Sequence, residues 1–159
     1  MKQDLVIVNN EKCFRINNKL YCQNIEIKLL SEDLKKYFDL RFILRNSKVK
    51  PVHQLNEDNT KIASNIGSFL YNILIYTFKR NTKFLLISIT PYTFLSFLIL
   101  FLFRKKIYLY LRSDGQKEIK HIFGKKFLFI YNLMQFIMMK SSKLIAVNNE
   151  IVKNRNFSI

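Results

Sequence analysis

Short apolar runs alternate along this chain with longer stretches in which apolar residues recur every three or four positions. Leu5 to Val8 is wholly apolar and rich in β-branched side chains, so it reads as a buried parallel strand. Cys13 to Ile16 and Lys19 to Cys22 flank Asn17-Asn18, a pair that tolerates left-handed backbone, and predict a small hairpin. A helix follows with Leu30, Leu34, Tyr37 and Phe38 on one face, or a shorter one capped by Ser31 with Glu32 and Asp33 in its first turn. Leu40 to Leu44 is the next strand, and the polar stretch from Arg45 to Asn59, containing Pro51, is a loop. Ile62, Ile66, Phe69, Leu70, Ile73 and Leu74 keep helical spacing and predict a helix reaching about Lys79.

The second half repeats the alternation. Phe84 to Ile89 reads as a strand, Thr93 to Phe103 as a very apolar helix opened by Thr90-Pro91-Tyr92, and Ile107 to Leu111 as a strand. Lys125 to Lys140 is helical, with Phe129, Leu133, Phe136 and Ile137 on one face; Leu144 to Val147 is a further strand, and another helix opens at Glu150. Strands alternating with helices predict an α/β fold: a Rossmann-like, doubly wound parallel sheet in a single domain, with Leu5–Val8 central. Ligands of such sheets bind outside the carboxyl ends of the strands. Those ends are Asn9-Asn10, Arg45-Asn46, Thr90-Pro91-Tyr92, Arg112 to Gly115 and Asn148-Asn149, and all five are polar.

One segment fits a second architecture. Residues 84–103 carry no charge over roughly twenty positions, long enough to cross a bilayer, and are flanked by Lys83 and by Arg104, Lys105 and Lys106. Pro91 near the middle and the β-branched Ile87–Ile89 run favour a strand, a turn and a helix instead.

With 49% hydrophobic residues the 159-residue chain has enough apolar side chains for a real core, and its 3 glycines leave no room for a Gly-rich phosphate loop. The formal net charge of +16 points to an anionic partner. A chain rich in Lys, Ile, Asn and Phe also acquires such a charge by composition alone. No compact basic-aromatic motif for nucleic acid is present, so an anionic membrane surface is the expected macromolecular counterpart. Cys13 and Cys22 form no CxxC pair, and His53 and His121 stand far apart, so no metal site is expected; with no secretory signal ahead of the cysteines, reduced thiols and a cytoplasmic location are expected.

The chemistry-bearing cluster is the stretch YLYLRSDGQKE, Tyr108 to Glu118, where an apolar strand stops at a guanidinium, a hydroxyl, a carboxylate and a glycine. A helix beginning near Gly115 puts Asp114 and Glu118 one turn apart at the crevice mouth. The pair either binds hydroxyls and moves protons or caps the helix and offsets its dipole. Arg112 either holds a phosphate or a sugar hydroxyl or pairs with Asp114 or Glu118. Tyr21 and Tyr92, near strand ends, either stack on a sugar ring or finish the core.

ISITPYTF (Ile87–Phe94), YLYLRSDGQKE and KLIAVNNEIVK (Lys143–Lys153), in this order and spacing, resemble the N-terminal domain of family 4-like glycosyltransferases of the GT-B fold. FRINNKLYC (Phe14–Cys22), the YFD at Tyr37–Asp39 and LRNSK (Leu44–Lys48) follow the same plan, so the similarity spans nearly the whole chain. The resemblance implies the acceptor-side domain of an enzyme that transfers a hexose, with retention and without metal or other cofactor, from a nucleotide-sugar to a hydroxyl of a glycan or lipid-linked glycan, as in cell-surface polysaccharide synthesis. It implies that Arg112 to Gly115 line the cleft beside the transferred sugar, with Asp114 catalytic; the strand-end reading adds Glu118, Thr90, Tyr92 and Tyr21 to Arg112, Ser113 and Gly115 as the expected substrate-binding set. Two departures stand out. The turn after the first strand lacks the family's glycines, and the donor-binding C-terminal domain is missing from these 159 residues, so they are expected to be a truncated gene product, one subunit of a split enzyme completed by a C-terminal partner chain, or a fragment, and to be inactive alone. The competing expectations are a non-catalytic adaptor at the inner face of a membrane and a small integral membrane protein anchored by residues 84–103.

Overall fold

A polar interruption does not stop the first strand. In the computed structural model, which describes residues 2–17, 19–47, 52–55, 59–122 and 124–146, the expected strand at Leu5 and the first arm of the expected hairpin are one 14-residue strand, β1 (Gln3–Ile16). Its polar middle is absorbed by a register shift between Val8 and Lys12 against the neighbouring strand. A bulge of this kind bends a strand and re-aims its side chains without ending it. Asn17, at φ 47°, opens the turn into β2 (Lys19–Cys22). Helix α1 (Ile25–Leu34) is capped by Asn24, whose side chain accepts the Glu26 amide. Ser31 therefore lies inside the helix, bonded to the Lys28 carbonyl rather than capping. Tyr37 falls in the turn after it and Phe38 opens β3 (Phe38–Asn46).

The expected loop after Arg45 contains more structure than its composition suggests. Arg45 and Asn46 complete β3, and His53–Leu55 forms β4; Pro51 lies outside the described residues. Ile62 belongs to β5 (Thr60–Ala63), so α2 starts only at Ile66 and ends at Thr77 (Ile66–Thr77). Asn65 caps it, with Ser68 returning the bond in a capping box. β6 (Lys83–Ile87), α3 (Pro91–Leu102) and β7 (Lys106–Leu111) follow, so the apolar stretch at 84–103 is a strand, a turn and a helix, not one span. Among the described residues no helix is long and apolar enough to cross a membrane. α4 (Gly115–Ile122), α5 (Lys125–Ser141) and β8 (Lys143–Ala146) complete the described elements. Val147, the Asn148-Asn149 strand end and the helix expected from Glu150 lie outside them.

The described residues form an α/β structure of eight strands and five helices. The sheet is mixed, not purely parallel, because β2 runs antiparallel to both β1 and β4. Its parallel part has the order β5-β3-β1-β6-β7-β8, with β1 central as expected. The chain winds outward from β1 first to one side and then to the other, the doubly wound order, and the direction reverses between β1 and β6. Alternation along β1 sends Val6 and Val8 to the core under α2, α3 and α5, and Leu5 and Ile7 to the core under α1.

Helix α5 meets the sheet with a different face from the one its apolar spacing suggests. Tyr131, Gln135 and Met138 are buried, while Phe129, Leu133 and Phe136 point outward, Phe129 at 76% exposure. The helix is apolar on nearly every side, so periodicity does not single out one stripe.

Candidate functional site

A crevice of about 240 Å³ opens at the carboxyl ends of β6 and β7, beside the bulge midway along β1, where the winding direction reverses. Its floor comes from the bulge in β1. Asn9 is buried; its side-chain oxygen accepts the Glu11 amide at 3.1 Å, and its side-chain NH2 finds no hydrogen-bond partner among the described residues. A buried amide donor left unmatched is costly, and in native proteins such a group usually meets a water or a ligand. Glu11 lies half-buried beside it. Burial raises its carboxyl above the usual range, outweighing the Arg112 charge and the backbone hydrogen bonds from Asn24 and Gln23, which lower it.

The far wall is the stretch after β7. Arg112 donates from Nη1 to Glu26 Oε2 of α1 at 3.3 Å, so its structural partner is neither Asp114 nor Glu118. It thereby carries its charge between two carboxylates, Glu26 and Glu11. Ser113, Gly115 and Glu118 also line the crevice. Asp114 is the cap of α4: its Oδ1 accepts the amides of Gln116 and Lys117 at 3.2 and 3.4 Å, and its Oδ2 lies 3.5 Å from Lys117 Nζ. Gly115 is where it is because of a close approach. A Cβ there would run into the Tyr131 ring and hydroxyl. Burial pushes the Tyr131 hydroxyl well above its ordinary pKa, and the Glu118 and Asp114 carboxylates add to the effect, so it stays a neutral donor.

The third wall is the β6–α3 turn. Ser88 holds φ 63°, a strained backbone for a residue with a side chain. Two bonds keep it there: its N–H donates to the Tyr110 carbonyl at 2.9 Å, and its own carbonyl accepts from Thr93 Oγ1 at 2.9 Å. Thr90 lines the crevice and also caps α3 through a reciprocal capping box with Thr93. Next to the crevice, and sharing Asn10, Thr90 and Tyr131 with it, lies an apolar slot of about 340 Å³ walled by Phe127, Ile130 and Met134.

The two tyrosines named from the sequence sit apart from this constellation. Tyr92 packs edge-on against Phe69, ring centroids 5.2 Å apart, and carries the Arg45 guanidinium over its face at 4.4 Å. Arg45 in turn donates to Asn10 Oδ1 at 2.8 Å, so Tyr92 supports the crevice from behind. Tyr21 lies on β2 opposite Phe14 and Gln54, outside the crevice lining. Asn9 is one of the polar strand-end residues expected to face a ligand, whereas Glu11, Tyr131 and Glu26 are not marked by the sequence. Asn9 and Glu11 sit in a stretch that reads as loop, and nothing in the spacing links Glu26 to Arg112.

Among the described residues no group of three or more His, Cys, Asp or Glu side chains is placed to hold a metal ion. Cys13 and Cys22 face each other across β1 and β2 as free, buried thiols. No protein-family model, curated protein or solved structure matches the chain. The crevice offers neutral amides, hydroxyls, one guanidinium and two carboxylates over a small volume, a set suited to a polyhydroxylated ligand with at most a small negative charge.

Proposed function

We propose that this chain is the acceptor-side domain of a GT-B, family 4-like glycosyltransferase, and that the crevice between Asn9, Glu11 and Arg112 holds the acceptor beside the sugar being transferred. The observation that carries this proposal is the buried, unmatched Asn9 amide at the point where the sheet reverses its winding. A sugar hydroxyl supplies the acceptor that this donor lacks. Glu11 accepts a hydroxyl proton, and Arg112 draws the developing negative charge on the leaving group toward the same end of the sheet. Asp114 contributes charge at the helix start and Glu118 a further hydroxyl acceptor. The nucleotide-sugar binds a second Rossmann-like unit outside these residues, because one wall cannot align both reactants.

The test is binding followed by transfer. Saturation-transfer NMR with mono- and oligosaccharides should give signals that Asn9→Ala and Arg112→Ala abolish while melting stays close to wild type. Purified chain with nucleotide-sugars should give no transfer alone. Saccharide signals that persist in both variants would remove the crevice from the proposal.

A further inference from the structure

Seven of the 27 lysines and arginines behind the charge of +16 gather at one edge of the fold. The parallel strands share one amino-terminal edge, and β6, β7 and β8 all begin there with lysine: Lys83, Lys106 and Lys143. Lys83 and Lys106 are direct partners across the ladder. The carboxyl ends of α2 and α3 reach the same edge and add Lys79, Arg80, Arg104 and Lys105. Among the described residues none of these cations forms an ion pair with a carboxylate. Asp4, at the start of neighbouring β1, is taken by Arg41 at 3.6 Å.

Large apolar side chains project from the middle of this basic group. Leu102 is 79% exposed and Phe78 72%. Phe78 packs edge-on against Phe103 with centroids 5.6 Å apart, and Lys105 Nζ donates to the Lys79 carbonyl at 2.9 Å, so the two helix ends form one corner. α3 closes there in a Schellman turn, the Lys105 and Arg104 amides bonding to the Leu100 and Phe101 carbonyls. The left-handed position of that turn, φ 51°, usually taken by glycine, is held by Arg104.

We infer that this corner docks the protein on an anionic lipid surface. Phe78, Leu102 and Phe103 enter the interfacial layer, and Arg80, Arg104 and Lys106 meet the headgroups. Apolar side chains ringed by cations that have no carboxylate partner among the described residues fit a bilayer rather than a nucleic acid, because Leu102 has no base or phosphate to satisfy it. The corner lies at the opposite end of the sheet from the crevice, so a docked molecule keeps its crevice open to solvent. The inference does not depend on sugar transfer.

The test is co-sedimentation of the full chain with phosphatidylcholine vesicles containing or lacking 30% phosphatidylglycerol (roughly the anionic fraction at which polybasic surfaces bind). Binding is expected to the anionic vesicles only, weakening as salt rises. Arg104→Gly should lower the partition coefficient about fivefold while leaving the melting temperature unchanged or higher, because glycine suits the left-handed turn. Leu102→Ser should lower it roughly tenfold at little cost to a highly exposed position. Equal binding to both vesicle types, or no loss in either folded variant, overturns the inference. Tighter binding to a single-stranded oligonucleotide that Leu102→Ser leaves intact overturns it in favour of a nucleic-acid surface.

Discussion

The Tyr131 ring of α5 occupies the space that any side chain at residue 115 would fill. The contact fixes the angle at which α4 leaves the end of β7, and Gln116 reinforces it by donating from Nε2 to Gln135 Oε1 at 3.1 Å. The glycine that closes the Arg-Ser-Asp-Gly cluster is thus explained by packing between two helices. Gly115→Ala should lower unfolding free energy by about 1–3 kcal/mol, the usual cost of an added methyl group in a filled space. Tyr131→Phe in the same chain should return only part of that, because the ring carbons remain in the way after the hydroxyl is gone. Urea melts of the single and double variants measure both effects, and an unchanged midpoint for Gly115→Ala would show that α4 can tilt freely.

Asp114 is engaged in capping and stands beside the crevice without lining it. Asn caps nearly as well, so Asp114→Asn should cost less than about 1 kcal/mol of stability and Asp114→Ala about 0.5–2 kcal/mol. The exposed contact with Lys117 adds little to either figure. If Asp114 also serves the reaction, Asp114→Asn should slow transfer by the reconstituted enzyme about tenfold to a hundredfold, or roughly 1.4–2.7 kcal/mol at the transition state. Unaltered transfer with a selective stability loss in the alanine variant would leave Asp114 as a cap alone.

The parts of the fold legible in the sequence are those where burial leaves no polar residue, as in β6, β7 and the core of β3. These are short apolar runs flanked by turn residues, and they place β1 in the centre of the sheet. Legibility fails where a bulge or an edge relaxes that pattern. Asn9 to Lys12 reads as a loop because polar residues break the run, although pairing with β3 resumes at Lys12 after the register shift and the strand continues. Ile62 fits the helical spacing of α2 and still belongs to a strand, since one apolar residue matches either period. The candidate site divides in the same way. The end of β7 is marked by its abrupt change of chemistry, whereas Glu11, Glu26 and Tyr131 meet it only through tertiary contacts between residues far apart in sequence.

The two cysteines make a test of the hairpin. Burial raises both thiols, Cys22 up to about 11 and Cys13 further, with the facing cysteine and Glu11 adding to Cys13. At pH 8 only about one Cys22 in a thousand is then a thiolate. An aromatic disulfide reagent should label neither thiol in the folded chain within minutes and both on unfolding. Rapid labelling of the native protein would mean that β2 detaches from β1 far more often than its ladder implies.

Glu11 makes the sharpest demand on the site, because stability and binding should move in opposite directions. Its carboxyl is raised in the folded chain, with burial the leading cause. A raised carboxyl contributes stability that is fully present below its unfolded pKa and is lost as pH rises through its folded value. Near pH 7 the ionised group therefore weighs against the fold, and the neutral, nearly isosteric Glu11→Gln should melt higher than wild type. The difference should shrink as pH falls toward 4, where both side chains are uncharged. Saccharide binding should fall on the order of tenfold in the same variant at pH 7, since a hydrogen bond to a charged acceptor is replaced by one to an amide. Thermal melts across pH 4 to 8, paired with saccharide titrations at pH 7, separate the two contributions. A Glu11→Gln chain that binds as wild type does, yet melts higher at neutral pH, would make Glu11 a strained structural carboxylate and move the ligand-binding burden to Asn9 and Arg112. A chain with no gain in melting temperature at neutral pH would mean that water or Arg112 already compensates the buried charge in full.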